Sequence, residues 1–452
     1  MRRVDRVFAA ILLAALAARL FLAFTQPYIH DEINTAIPLA DTISFSPAAL
    51  NLPLRGENHG ALPAYIVHAS RSLLGTSAPA SRALHLVLGL AIVVLAYAIT
   101  RRWFGVVAAR WAAALLAFNE FFLNVSSRAT AHVPHLVLAT AAIYAFSRFL
   151  AQQNPRWLYL AGLSLGLAFY AKEHSALLLP VFFLALLLPP YREWLTRPAP
   201  YMACAVWLLV VSPDLIWNAR TDEEVIVNYA GEGVAQATYA RHLQRIGGVG
   251  LSAYPSMFYA RSVVTAIHQA ALGRELRDET PEYDSINPLL GLVLVGAAVV
   301  TAVRYRRATA ATPVLLLAFW VIFAFFTLIE KGNPPGRLDP VSWIWVEVTL
   351  IPATVLAGAR LAGLEGRARA IAWAVASAAL LYACWPLLSA LLGSLFDPVQ
   401  EGVSQVSHAL QVAAESTVVY TRARPLRAVA FGIAAGVVAG AVIGYVLGRR
   451  QR

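Results

Sequence analysis

The sequence predicts an all-α polytopic membrane protein with about twelve transmembrane helices and with interfacial helices in its extracytoplasmic loops. Of the 452 residues, 59% are apolar and 13% are charged, whereas soluble domains carry roughly 25% charged residues. The apolar residues form long runs, and arginines gather in alternate stretches between those runs. A soluble core cannot hold so much apolar surface, but lipid can solvate the outward faces of membrane helices.

A membrane span needs about 20 predominantly apolar residues. By that criterion the predicted spans lie at 7–25, 82–100, 106–123, 131–150, 156–171, 174–190, 200–217, 288–303, 312–329, 341–359, 371–393 and 427–447. Amphipathic stretches at 64–74, 233–245 and 255–274 are predicted to lie along the interface. These elements divide the chain into an N-terminal transmembrane module (1–217), a large extracytoplasmic loop (218–287) and C-terminal transmembrane helices (288–452).

The positions of the arginines predict the orientation of these spans, because short cytoplasmic loops carry the excess of positive charge. The arginines in the predicted cytoplasmic segments are Arg2, Arg3, Arg6, Arg101, Arg102, Arg110, Arg156, Arg192, Arg197, Arg304, Arg306, Arg307, Arg360, Arg367, Arg369, Arg449, Arg450 and Arg452. We therefore expect a multi-pass protein of the cell membrane with both termini cytoplasmic.

The polar chemistry is predicted to lie on the opposite, extracytoplasmic side. The long loops 26–81, 218–287, 330–340 and 394–426 fall there, together with most acidic residues and histidines and both lysines. The spans contain few ionisable residues, with Glu347 the clearest exception, whereas transporters usually place such residues at mid-membrane. This distribution favours a site at the outer surface over a pathway through the bilayer.

Composition also excludes several other classes of protein. The net charge of +11 does not indicate nucleic-acid binding, because the arginines follow the loops beside apolar runs. Cys204 and Cys384 lie within apolar runs, so they predict neither a disulfide framework nor a zinc site. The apolar stretch after the N-terminal arginines has no small-residue cleavage site and is predicted to be the first span.

The first outer loop carries the strongest catalytic candidates, Asp31 and Glu32, directly after span one. Two adjacent carboxylates can serve as a general base or as oxygen ligands of a divalent cation. A hydrated loop in which both acids face water is the alternative. Further along the loop, Glu57 and His59 are candidate metal ligands, and Arg55 is a candidate phosphate ligand; a polar turn before an interfacial helix explains them equally well.

Three further outer segments carry candidate residues. Arg128 lies on the outer side against the orientation rule and therefore needs an anionic partner. His132 and His135 share one helical face, which makes His132 a candidate metal ligand, although histidine pairs are more often structural. Lys172 suits a phosphate, or else pairs with Glu173. The stiff segment before span ten could present Arg337 to an anion, or it is a plain loop.

Together these segments resemble the GT-C superfamily of membrane glycosyltransferases, and within it the group of protein O-mannosyltransferases and lipid A aminoarabinose transferases. The resemblance covers roughly residues 7–220 and, more weakly, 288–360. It rests on Asp31-Glu32 after the first span, on the segment 57–63, on Ser81-Arg82-Ala83-Leu84 with Arg101-Arg102-Trp103-Phe104-Gly105, and on 166–172. The sequence departs from the family pattern at Asn34, at Asn58 or His59, and at His132.

This resemblance implies transfer of a sugar from a polyprenyl-phosphate donor to a protein, lipid or polysaccharide acceptor at the extracytoplasmic face. Asp31 would be the catalytic base and Glu32 would orient Asp31 or the acceptor. Lys172, Arg128, Arg337 and Arg55 would bind the donor phosphate. A divalent metal ion, with Glu57, His59 and His132 as candidate ligands, is the cofactor to consider.

Other functions remain open at this stage. A transporter or flippase for lipid-linked substrates would need charged residues inside the spans. A glycan ligase or polymerase would suit the long loop 218–287, which we expect to fold over the site. A non-enzymatic scaffold leaves the outer basic residues without a role.

Overall fold

The computed structural model describes residues 5–29, 32–47, 49–54, 60–221, 288–303, 311–328 and 347–396. The helices within these ranges are α1 (Arg6–Thr25), α2 (Ile37–Thr42), α3 (Leu62–Leu74), α4 (Ala78–Ala117), α5 (Glu120–Val125), α6 (His132–Gln152), α7 (Arg156–Phe169), α8 (Leu178–Leu186), α9 (Pro198–Thr221), α10 (Pro288–Val303), α11 (Ala311–Leu328), α12 (Leu350–Gly363) and α13 (Gly366–Phe396). The chain divides into two compact units, 1–362 and 363–452. The candidate site lies in the first unit.

The predicted all-helical membrane fold is confirmed, while the count of about twelve spans stays a prediction. Four helices of the described part are long and apolar enough to cross a membrane, namely α1, α4, α6 and most of α9. Shorter apolar helices occur at Arg156–Phe169, Glu173–Leu186, Val293–Ala302 and Val314–Phe323. The last predicted span and the interfacial helices at 233–245 and 255–274 lie outside the described residues.

Helix α4 covers two predicted spans and bends at Gly105, where φ is +87° and the backbone is not helical. The Asp5 carboxylate accepts hydrogen bonds from Tyr97 Oη at 2.7 Å and from Arg110 Nη2 at 2.9 Å. A continuous helix would separate residues 97 and 110 by about 20 Å along its axis. The chain therefore turns back at Gly105, and the two halves correspond to the two spans that the sequence predicts.

Asp5 joins the start of α1 to this turn. Its carboxylate caps α1 by accepting from the Val7 and Phe8 amides. Burial raises the pKa of Asp5, but hydrogen bonds from Arg110 and Tyr97 outweigh it and hold the pKa at about 2. The group is therefore anionic at neutral pH and fixes the N-terminus of α1 beside the Gly105 turn.

Helix α3 confirms the predicted helix at 64–74 and begins slightly earlier, at Leu62. Pro63 lies in its first turn, where a missing amide proton costs nothing. The helix ends at Gly75, whose φ of +92° suits a residue without a side chain. Ala64 and Val67 bury one face against Ala36 and Ala40 at the start of α2 and against Ala129.

The expectation that the spans contain few ionisable residues is wrong for the buried interior. Arg19 lies within α1 and is fully buried, with its Nε donating to Ser126 Oγ at 2.8 Å and its guanidinium over the Phe122 ring. Arg82 is also fully buried near the start of α4. Neither faces lipid, because packing against neighbouring helices provides each with polar partners.

Candidate functional site

Two buried polar clusters lie where one set of helix ends meets: the C-termini of α1, α5 and α7 and the N-termini of α4, α6 and α12. We call the first the anchor cluster; it consists of Arg82, Glu32 and the groups that bond them. The second, the histidine–glutamate cluster, consists of His132, His135, Lys172, His174 and Glu347. Residues 126–135 connect the two clusters.

In the anchor cluster, Arg82 and Glu32 form a bidentate ion pair. Arg82 Nε donates to Glu32 Oε1 and Nη2 donates to Oε2, each at 2.7 Å. Both side chains are fully buried. Buried charges are tolerated only where they are paired and hydrogen-bonded, and both conditions hold here.

The Glu32 carboxylate also joins two further backbone segments. Oε2 accepts from the Ile29 amide at 3.1 Å, and Oε1 accepts from the Ala129 amide at 2.9 Å. Next to Ala129, Arg128 is 7% exposed and donates through Nε to Gln26 Oε1 at 3.0 Å. The loop after α1 is therefore held against the segment between α5 and α6.

In the histidine–glutamate cluster, four groups converge on the Glu347 carboxylate. His132 Nδ1 contacts Oε2, and His135 Nδ1 lies 2.6 Å from Oε1. Lys172 Nζ and His174 Nε2 lie 3.3 Å and 3.8 Å from Oε1. Glu347 is fully buried and lies in the short 3-10 turn that leads into α12.

Lys172 is 1% exposed, and its Nζ lies 3.3 Å from Glu347 Oε1, a partner that the sequence did not suggest. Its Nζ also lies 2.8 Å from His132 Nδ1. The positive charge that looked suited to a phosphate is thus already balanced by a carboxylate 175 residues further along the chain.

The first outer loop docks onto the turn that leads to Lys172. The Leu62 amide donates to Tyr170 O at 3.1 Å. A Cβ on Gly60 would come within 2.5 Å of the Tyr170 carbonyl carbon and 2.6 Å of its Cα. Only glycine permits this approach, so the segment at Gly60 lies directly against the turn that leads to Lys172.

Several predicted site residues lie outside the described residues, namely Asp31, Arg55, Glu57, His59 and Arg337. Glu32, Arg128, His132 and Lys172 are described, and all four belong to the two clusters or to the segment that joins them. The structure therefore brings together every predicted site residue that it describes.

The comparisons with known proteins concern the fold and the family. Residues 58–217 match the family described as dolichyl-phosphate-mannose-protein mannosyltransferase. The crystal structure of ArnT from Cupriavidus metallidurans bound to undecaprenyl phosphate is 18% identical, with a TM-score of 0.56, and the match covers 97% of this chain and 75% of that one. Its apo form gives the same identity and coverage, with a TM-score of 0.54.

The chain has the GT-C fold of ArnT. The resemblance to the GT-C membrane glycosyltransferases is thereby confirmed. Among curated proteins, none matches the chain.

Within the histidine–glutamate cluster, His135, His174 and Glu347 form a group that could hold a metal ion. Their ligand atoms lie within 4.8 Å of one another. Two imidazoles and a carboxylate are ligands that zinc accepts. A metal ion here must, however, displace the Lys172 ammonium from Glu347, because holding two cations against one buried carboxylate is unfavourable in free energy.

Sequence reasoning missed the roles of three residues in these clusters. Arg82 contributed only to the family resemblance, yet it is the partner of Glu32. Two features of the sequence pointed to the other two residues as functional candidates: His174 follows Lys172 closely, and Glu347 is an acid in a predicted span. Neither could be connected to His132, because nothing local in a sequence indicates contacts across 40 or more residues.

Proposed function

We propose that this protein transfers a sugar from a polyprenyl-phosphate donor to an acceptor at the extracytoplasmic membrane face, with Asp31 as the catalytic base. One observation carries the proposal: the carboxylate of Glu32, the residue after Asp31, accepts from the amide that follows Arg128. Glu32 and the segment that carries Arg128 are thus held together. The family of the mannosyltransferases and a relative that binds undecaprenyl phosphate support the same donor class.

The chemistry follows from these groups. The acceptor hydroxyl attacks the anomeric carbon of the donor sugar while Asp31 takes its proton, because a hydroxyl has a pKa far above 7. The bond from the anomeric carbon to the phosphate oxygen breaks, and polyprenyl phosphate leaves as an anion. Positive charge held beside that anion lowers the barrier.

Arg128 is the described cation best suited to receive this phosphate. It directly precedes Ala129, whose amide bonds Glu32, so it lies beside the acidic segment. Lys172 already lies against Glu347, so we propose that it acts by holding the turn at Tyr170, onto which Gly60 docks. Arg55 and Arg337 are the further phosphate ligands that we propose from the sequence. Glu32 positions Asp31.

The orientation of the molecule belongs to the same proposal. Both clusters lie at the helix ends that the arginine distribution predicts on the outer side. The pair formed by Asp5 and Arg110 lies at the opposite end of α1, among the predicted cytoplasmic arginines. We therefore propose cytoplasmic termini and an extracytoplasmic active site.

The proposal is tested with purified full-length protein and a radiolabelled polyprenyl-phosphate sugar, scoring transfer to an acceptor or to water. Asp31→Asn is expected to lower kcat by at least ~100-fold, because general-base catalysis contributes about 10²–10⁴-fold. Asp41→Asn is the matched control, since this carboxylate of the same loop is exposed and pairs with Arg71. Wild-type turnover by Asp31→Asn would disprove the catalytic role.

The same assay separates the alternatives. A transporter or flippase moves the intact donor across the bilayer and releases no sugar from its carrier. A glycan ligase or polymerase uses a lipid-linked glycan as the donor and leaves a monosaccharide donor uncleaved.

A metal ion, if one is used, is proposed to bind His135, His174 and Glu347, with His132 adjacent and with Glu57 and His59 as the ligands the sequence suggested. When bound, it would supply further positive charge to the phosphate. Lys172 and two histidines already lie against Glu347, so a metal ion would compete with them for this carboxylate.

Competition between Lys172 and a metal is directly measurable. We expect Lys172→Met to increase zinc retention after dialysis, because the competing ammonium is gone, and His135→Ala to abolish the increase. His68→Ala is the matched control, since His68 bonds Ala40 O away from the cluster. Metal content by mass spectrometry decides: equal zinc in all variants would refute the site.

A further inference from the structure

The geometry assigns Arg82 as the positioning residue that fixes the segment carrying Asp31. This inference rests on the proposed function, since it concerns how the base of that reaction is held. The observation behind it is the anchor cluster. The hydrogen-bonding groups of Arg82 and Glu32 are fully occupied, and most of their partners lie on either side of Asp31 in the chain.

Every donor of the Arg82 guanidinium is engaged. A guanidinium has five N–H donors in a rigid planar fork. Two of them bond the Glu32 carboxylate. The other three donate to the carbonyl oxygens of Ala23 at 3.0 Å, Gln26 at 2.9 Å and Pro27 at 2.9 Å. The ring of Tyr28 lies against the same guanidinium, 5.1 Å from its centre.

The Glu32 carboxylate is equally saturated. A carboxylate offers about four lone-pair sites, and here they are occupied by Arg82 Nε, Arg82 Nη2 and the amides of Ile29 and Ala129. No site remains on Glu32 for a substrate proton. The carboxylate therefore serves to hold the backbone and not to react.

These contacts bracket Asp31 in the chain. Arg82 holds residues 23, 26 and 27 on one side and residue 32 on the other, while Ala129 ties residue 32 to the segment of Arg128. A base must reach its proton within hydrogen-bond distance, and a misplacement of about 1 Å costs roughly 100-fold in rate. Because residues on both flanks of this short loop are held, we infer that Arg82 restrains the position of Asp31.

Arg82→Lys tests the assignment, because lysine keeps the charge but has three donors for five acceptors. We expect kcat to fall by about 100-fold, with KM for the donor changed by less than about threefold, because every Arg82 donor bonds a protein group and none is left to bind the donor. Arg71→Lys is the matched control, since Arg71 pairs with the exposed Asp41. An unchanged kcat for Arg82→Lys overturns the inference.

A double-mutant cycle separates positioning from a general loss of structure. In an Asp31→Asn background, Arg82→Lys is expected to cause no further loss, because Arg82 acts through Asp31. A further proportional loss means that Arg82 only maintains the fold, which overturns the inference. If Arg82→Lys fails to fold, Glu32→Asp replaces it in both experiments, because the shortened carboxylate cannot reach Arg82 and Ala129 together.

The two proposals fail in different ways. If Asp31→Asn turns over at the wild-type rate, Asp31 is not the base, whatever the result for the Arg82 variants. If Asp31→Asn is inactive and Arg82→Lys is fully active, Asp31 remains the proposed base and only the positioning role of Arg82 is disproved.

Discussion

Replacing Lys172 with methionine is expected to destabilise the protein by about 3–5 kcal/mol, because it leaves the Glu347 carboxylate buried without its cation. Lys172 and Glu347 are 1% and 0% exposed. The cost comes from the uncompensated charge and not from the lost contact alone. Equilibrium unfolding in mixed micelles measures it.

Two further variants show whether charge is the cause. Adding Glu347→Gln to Lys172→Met is expected to recover most of the lost stability, since removing both charges of a buried pair is often nearly neutral. Arg71→Met breaks an ion pair whose acid is 60% exposed, so it should cost at most ~1 kcal/mol. Equal losses for Lys172→Met and Arg71→Met would contradict the buried pair.

Replacing Gly60 with alanine is expected to lower the transfer rate by at least about tenfold, which corresponds to about 1.4 kcal/mol. The new Cβ would lie 2.5–2.6 Å from backbone atoms of Tyr170, which cannot rotate away as a side chain would. The first outer loop must then move from the turn before Lys172. The Leu62 amide would also lose its bond to Tyr170 O.

Gly296→Ala is the control for this prediction. Gly296 lies in α10, and a Cβ there would meet nothing within 4 Å. Alanine also favours a helix more than glycine does. We expect activity and stability to equal those of the wild type, and a full-rate Gly60→Ala enzyme would show that this docking contact is dispensable.

The candidate site could be predicted from the sequence only in part. Glu32, Arg128, His132 and Lys172 were recognised because charged residues beside apolar runs are costly and therefore rarely accidental. Their partners were not recognised. Lys172 pairs with Glu347 and Glu32 pairs with Arg82, because side chains meet through helix packing that sequence spacing does not encode.

Composition and hydropathy by themselves determined that this chain is a helical membrane protein, where many of its helices begin and end, and which segments between them carry its polar residues. These properties are local, since the transfer of each apolar run into lipid depends on that run alone. Only the tertiary structure decided which charges neutralise one another, that Arg82 holds the acidic loop, and that Gly60 docks beside Lys172. Those outcomes depend on which helix ends come together, and the energy of each buried charge depends on its neighbours in space.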